Sequence, residues 1–225
     1  MTTAAFDGAP TRDWMNRFAA SVYATEAELT ELDQRVGDGD FGNNLAAGVR
    51  AAQRLLDAAG EGAGPSETGP SETLGCMATA FLDEIGGTSG PLFGLLFQAL
   101  SRAASGSGLT TGGLADGVEQ GLAAIRRVGD AAPGDKTLVD ALTPAAAALR
   151  AAGDVPPADA LALAADAAWQ GVRDTAGLAA RMGRASYLGE RVTGIPDPGA
   201  VGVALLFASA VDSVRSLAPH LPDAG

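Results

Sequence analysis

At 225 residues, the chain is long enough for one large domain with a substantial core, and an apolar share of 47% excludes a disordered polypeptide. Its net charge of −12, from 15 basic and 27 acidic residues, argues against nucleic acid or an anionic membrane as the main partner. Cys76 is the only cysteine, Met1 to Pro10 lack the pattern of a signal peptide, and no apolar run approaches the roughly 20 residues that span a bilayer, so a soluble cytoplasmic protein is expected.

Taken in order, residues 11–31 carry Trp14, Phe18, Val22 and Leu29 at helical intervals, with Thr11 or Asp13 available as cap. An acidic, Gly-rich stretch follows, and a second helix is expected from near Asn43 to Ala59. Residues 60–70 read as a flexible connection. The third helix, Ser71 to Ile85, has Leu74, Met77, Ala78, Phe81, Leu82 and Ile85 as its apolar stripe. Gly86-Gly87-Thr88-Ser89-Gly90-Pro91 then opens an apolar helix, with Ser89 suited to the N-cap and Pro91 to the first turn. After a Gly/Ser loop at 105–108, a helix is expected over 111–127 and another from Asp135, as its cap, to Ala152. Pro156-Pro157 precedes an Ala-rich helix over 157–181. A loop with Arg184 and Arg191 leads to Asp197-Pro198-Gly199, where Asp197 caps a last helix reaching Leu217. The ends, 1–10 and 219–225, read as frayed.

No segment reads as a strand, because Ala, Leu and Gly dominate and Val/Ile runs are missing. The expected fold is all-α, a single domain of seven or eight antiparallel helices joined by short connections. Gly94 and Gly117 inside helices suggest close packing.

The acidic stretch is the most informative. Asp33, Asp38 and Asp40 lie among Gly37, Gly39 and Gly42, and a tight turn can fold all three carboxylates toward one point. They repel one another there unless a cation sits among them, and hard oxygen ligands favour Mg²⁺, Mn²⁺ or Ca²⁺ over zinc. A solvated acidic turn is the alternative. Gly37-x-Gly39-x-x-Gly42 matches a dinucleotide fingerprint in letters only, since Glu31 to Arg35 is too polar for the buried strand that must precede it. As a calcium loop starting at Asp38 it fails, because its twelfth position is Val49 instead of Glu. The turn at 86–91 leaves helix N–H groups free and suits phosphate. Lys136 is not a Walker lysine, because the Gly-x-x-x-x-Gly-Lys-Ser/Thr pattern is missing. In an up-and-down bundle alternate loops share an end, so the acidic loop, the 86–91 turn, and the segments holding Asp135 and Asp197 can converge. That set suits a Mg²⁺–nucleotide phosphate chain.

Four motifs occur in order: Leu-Asp-x-x-Val-Gly-Asp-Gly-Asp-x-Gly, Gly-Gly-Thr-Ser-Gly-Pro-Leu-Phe-Gly, Pro-Gly-Asp-Lys-Thr-Leu-Val-Asp-Ala-Leu-x-Pro, and Gly-Arg-Ala-Ser-Tyr-Leu-Gly-Glu-Arg followed by Asp-Pro-Gly-Ala. Together they closely resemble the nucleotide-binding L subunit of dihydroxyacetone kinase, over nearly the whole chain. The resemblance implies an eight-helix antiparallel barrel that binds ADP or ATP at one end through two Mg²⁺ ions. It implies Asp33, Asp38 and Asp40 as metal ligands. It also implies nucleotide contacts from Phe41, Gly42, Asn43, Asn44, Thr88, Ser89, Gly129, Leu138, Arg184, Asp197, Pro198 and Gly199, with Leu138 at the adenine and Arg184 in phosphoryl transfer. Position 41, often His in the family, is Phe here, so a polar contact is lost or supplied by Asn43 or Asn44.

The implied reaction is transfer to dihydroxyacetone or a related small ketose held on a separate K subunit through a histidine. His220, the chain's only histidine, reads as a surface residue near the terminus. The implied partners are therefore a K subunit and, where bound ADP is recharged, a phosphocarrier (M-type) subunit of the phosphotransferase system; a homodimer is compatible with the resemblance. A nucleotide-sensing module without catalysis, or a stand-alone metal-dependent phosphohydrolase, are the competing readings.

Overall fold

The computed structural model describes residues 5–60, 68–104 and 108–222. Most of the expected connection at 60–70 and of the Gly/Ser loop at 105–108 falls outside them. Among the described residues, eight α-helices run in order: α1 (Gly8–Val36), α2 (Phe41–Gly60), α3 (Pro70–Asp83), α4 (Ser89–Ala103), α5 (Thr111–Gly129), α6 (Leu138–Ala152), α7 (Pro157–Thr175) and α8 (Pro198–Ala208), with a 3-10 segment at Arg184–Val192. Each helix packs on the next, and α8 returns to α1 and α2, which closes the ring. Two two-residue strands, β1 (Ala5–Phe6) and β2 (Leu109–Thr110), pair antiparallel, so the expectation of no strand needs that small correction. Among the described residues, no helix is long and apolar enough to cross a membrane.

The expected stripes face inward. Trp14, Phe18, Val22 and Leu29 are fully buried, as are Leu74 and Phe81. Phe81 and Phe97 stack obliquely at 5.4 Å, and Phe93 and Phe18 extend the aromatic cluster. A Cβ on Gly94 would stand 2.6 Å from Leu82 Cγ, which is why α3 and α4 can approach so closely. Helix α8 is apolar on every face and buried from Ala200 to Phe207, as a helix packed among α1, α2, α6 and α7 must be.

Helix ends differ most from expectation. α1 begins after Asp7, whose side chain accepts the Ala9 N–H, and runs on to Val36, so Asp33 lies in its last turns. α3 stops at Asp83 and α4 begins after Thr88, with Ser89 already helical. Thr137, not Asp135, caps α6, in a reciprocal box with Asp140. Asp135 instead accepts the Ala132 N–H within the turn. α7 ends at Thr175, six residues short of 181. α8 ends at Ala208 instead of Leu217, because Arg17 of α1 takes the carbonyls of Ser209 and Ala210. Beyond it, the Leu217 N–H donates to Glu28, and His220 stacks on Trp169 at 4.3 Å, so the segment around Pro219 is packed where fraying was expected.

Candidate nucleotide and metal site

All four connections from an odd-numbered helix to the next lie at one end: 37–40, 84–88, 130–137 and 176–197. Each contributes to the wall of a cavity of about 300 Å³, at the lower bound of known small-molecule sites.

Its acidic side comes from the end of α1 and the turn after it. Asp33 is buried, and its Oδ2 accepts the Phe41 N–H at 3.0 Å. Gly37 leaves room for that carboxylate: a Cβ there would meet Asp33 Oδ1 at 2.4 Å. Gly39, at φ +77°, turns the chain back so that Asp38 and Asp40 join Asp33, with one oxygen from each within 4.8 Å of the others. Burial raises the Asp33 pKa, and the neighbouring Asp38 and Asp40 raise it further. Arg184 Nη1 reaches Asp38 Oδ2 at 2.8 Å. The cluster thus already draws a positive group from the opposite loop.

The second wall is the start of α4. Thr88 precedes it without making a side-chain cap bond, so neither its hydroxyl nor the first N–H groups of α4 are committed to capping one another. Opposite, Asp197 caps α8 by accepting the Ala200 N–H at 2.7 Å, and burial pushes its carboxyl up to about 7. The wall also carries the apolar side chains of Leu92, Ile125, Leu138 and Met182.

Of the residues expected at the site, Asp33, Asp38, Asp40, Phe41, Thr88, Ser89, Gly129, Leu138, Arg184, Asp197, Pro198 and Gly199 line this one cavity. Gly42, Asn43 and Asn44 do not. Gly42 is where α2 touches α1: a Cβ would stand 2.4 Å from Glu26 O and from Thr30 Oγ1. Asn43 lines an open hollow with Tyr23 and Glu31 on the other side of the α1–α2 pair. Asn44 reaches the back of the 84–88 connection, its Nδ2 3.5 Å from where a Gly87 Cβ would be. Phe41 turns its ring into the core, 6.4 Å from Phe93, so what it offers the acidic turn is its backbone N–H.

Sequence reasoning missed Leu92, Ile125, Ala131, Thr137 and Met182 in the wall. Leu92 and Thr137 sit inside quoted motifs, and Met182 directly precedes Gly183-Arg184. Ile125 gives no local signal, because it reads as any core position on α5.

The DAK2 domain family matches residues 35–212, from the end of α1 through α8 and beyond. This chain belongs to the DAK2-domain family. Among the relatives of this DAK2-domain protein, it is 34% identical over 197 residues to the PEP-dependent dihydroxyacetone kinase 1, ADP-binding subunit DhaL, of Listeria innocua, covering 86% of this chain and 90% of that one. It is 33% identical to the PTS-dependent dihydroxyacetone kinase, ADP-binding subunit DhaL, of Lactococcus lactis, covering 91% and 96%. It is 39% identical to the L-erythrulose 1-kinase of Mycolicibacterium smegmatis, over 87% of this chain but 33% of that enzyme. Among solved structures, the dihydroxyacetone kinase of C. freundii in complex with AMP-PNP and Mg²⁺ superposes with a TM-score of 0.67 at 25% identity, covering 92% of this chain and 35% of that one. The chain spans about a third of those last two proteins. The all-α fold of this chain matches the superposed part of that dihydroxyacetone kinase.

The donor set of this DAK2-domain protein fits a hard divalent cation. Three carboxylates converge without a thiolate or imidazole, and a guanidinium supplies the compensating charge. The cavity wall combines apolar side chains, which suit a ring system, with the start of α4, which suits phosphate.

Proposed function

We propose that this DAK2-domain chain is the nucleotide-bearing subunit of a kinase for dihydroxyacetone or a related small ketose. It holds ADP or ATP with two Mg²⁺ and passes the γ-phosphoryl group to an acceptor carried on a separate K subunit. The observation that carries this reading is the convergence of Asp33, Asp38 and Asp40, the α4 N-terminus and Arg184 on one cavity whose wall also carries apolar side chains.

In this reading Asp33, pinned by the Phe41 N–H, and the two exposed carboxylates hold the metals. Bound Mg²⁺ neutralises phosphate charge and links it to the protein. Thr88, Ser89 and the first N–H groups of α4 donate to phosphate oxygens, while Leu138, Ile125 and Leu92 bury the base. Arg184 stabilises charge on the transferred group, which is catalysis by positioning and electrostatics.

No histidine lines the cavity among the described residues, and the one lysine that does, Lys136, has its ammonium engaged by the carbonyls of Thr175 and Ile195, which keeps it from capturing a ketose carbonyl. His220 is occupied against Trp169, and burial with nearby Arg173 lowers its pKa. The acceptor therefore needs the K subunit. The two relatives of matching length bear names that include ADP binding and PEP or PTS dependence, which supports resident ADP recharged by a phosphocarrier subunit. The erythrulose kinase supports a four-carbon ketose as an alternative acceptor.

The test is reconstitution. Alone, the chain is expected to bind Mg²⁺–ADP and leave dihydroxyacetone unphosphorylated. Added K-type subunit is expected to restore transfer, with ATP or with phosphocarrier-recharged ADP. Ketose phosphorylation by the isolated chain refutes the two-subunit reading.

A further inference from the structure

Lys136 is 2% exposed and has no place in the phosphoryl-transfer reading. It stands in the 130–137 connection with φ at +61°, in the left-handed region; Asp130 is the other non-glycine residue with positive φ among those described. A long side chain seldom adopts that conformation, and a buried ammonium is costly, so strong local bonds must hold both. Its Nζ donates to Thr175 O and to Ile195 O at 2.7 Å. Thr175 is the last residue of α7, and Ile195 lies two residues before the Asp197 cap of α8.

One ammonium therefore joins the two ends of a long excursion, 176–195, at its base. The tie is reinforced by the Gly194 N–H to Ala176 O at 2.8 Å and by the Asp197 N–H to Thr175 Oγ1 at 2.9 Å. A second attachment lies further along. The Arg181 N–H donates to Asp135 O at 3.1 Å, and its guanidinium lies 3.5 Å from Asp135 Oδ1. Three residues beyond Arg181 is Arg184, on Asp38. The turn Asp135-Lys136 is thus the base on which the Arg184 excursion is mounted.

We propose that Lys136 is a positioning residue: by closing the base of the 176–195 excursion it sets Arg184 over the carboxylate cluster, and it acts on transfer through Arg184. The role of Arg184 in transfer rests on the function proposed above; the mounting of the excursion does not. Lys136→Met keeps the length and removes the donors. Amide hydrogen exchange within 178–193 is expected to quicken about tenfold or more, while exchange in α1 to α6 stays within about twofold. With a K-type subunit, kcat is expected to fall by up to about a hundredfold, as misplacement of a catalytic group can cause, with the ketose KM little changed. Adding Arg184→Ala to Lys136→Met is expected to lower kcat little further, because the two act as one unit. Exchange at the wild-type rate overturns the mounting, whether or not the kinase reading holds. Fully multiplicative effects of the two substitutions overturn the action through Arg184. If Lys136→Met does not fold, Lys136→Asn, which tolerates a positive φ but is too short to reach both carbonyls, is measured in the same way, and wild-type exchange in it likewise refutes the proposal. Absence of turnover in the wild-type mixture, with exchange altered as expected, refutes the kinase reading and leaves the mounting supported.

Discussion

Arg184 Nη1 lies 2.8 Å from Asp38 Oδ2, so a guanidinium already occupies a carboxylate that the proposed metals need. A divalent cation on Asp38 competes with Arg184 for the carboxylate's charge, which favours a turn of the guanidinium toward phosphate once metal is bound. Asp38→Asn is expected to weaken Mg²⁺–ADP binding at least tenfold, about 1.4 kcal/mol or more, as loss of a charged contact does. The ligand-free melting temperature is expected to change little, because Arg184 is 71% exposed and such pairs contribute at most about 1 kcal/mol. Calorimetry decides this, and an unchanged affinity removes Asp38 from the site.

Metal and nucleotide should stabilise the fold only as a pair, since the metals link acids to phosphates. At a hundredfold excess over Kd, a ligand specific to the folded state contributes about 2.7 kcal/mol. For a domain of this size that is roughly 5–10 °C in Tm. Thermal scans with ADP plus Mg²⁺, ADP in EDTA, and Mg²⁺ alone check it. A full shift with ADP in EDTA contradicts the linkage.

Asp197 sets a pH dependence of defined sign. Burial is the main cause that lifts its carboxyl from 3.8 to about 7. Between those values the folded chain keeps a proton that the unfolded chain has released. Its contribution to stability is complete below 3.8 and is lost as pH rises through 7. Asn caps a helix as well as Asp and does not titrate. In metal-free buffer, the Tm advantage of Asp197→Asn over the wild type is expected to be larger near pH 8 than near pH 5. An equal difference at both pH values rejects the elevated carboxyl.

Two glycines expected at the nucleotide separate packing from binding. Gly42→Ala forces a methyl into Glu26 O and Thr30 Oγ1, both 2.4 Å away, and is expected to cost about 1–3 kcal/mol in chemical denaturation. Gly129 has open space where its Cβ would be and lines the cavity. Gly129→Ala is expected to preserve stability and lower nucleotide affinity. The reverse pattern would exchange their roles.

Much of the fold and half of the site's logic were legible because they depend on near neighbours in the chain. The stripe of Trp14, Phe18, Val22 and Leu29 needs only helical periodicity, and the cap of α8 needs only Asp197 and an N–H three residues on. Asp38 and Asp40 lie two apart with Gly39 between them, so their proximity is nearly covalent. Loop parity then follows from the count of helices.

Tertiary structure decided the rest, because its partners are far apart in the chain. α8 ends at Ala208 through Arg17, nearly two hundred residues away, and Trp14 Nε1 donates to Leu206 O across a similar gap. In sequence Lys136 is only a lysine outside any Walker pattern, and the carbonyls of Thr175 and Ile195, 39 and 59 residues on, make it a buried clamp. Asn43 and Gly42 stand beside Phe41 in sequence, yet a helix starting at Phe41 rotates each successive residue by about 100°, away from the cavity that Phe41 borders. Sequence by itself determined which residue types are available at that end of the bundle. The packing of α1, α2 and α7 decided which of them face the cavity, because the direction of a side chain on a helix depends on where that helix starts and what it packs against.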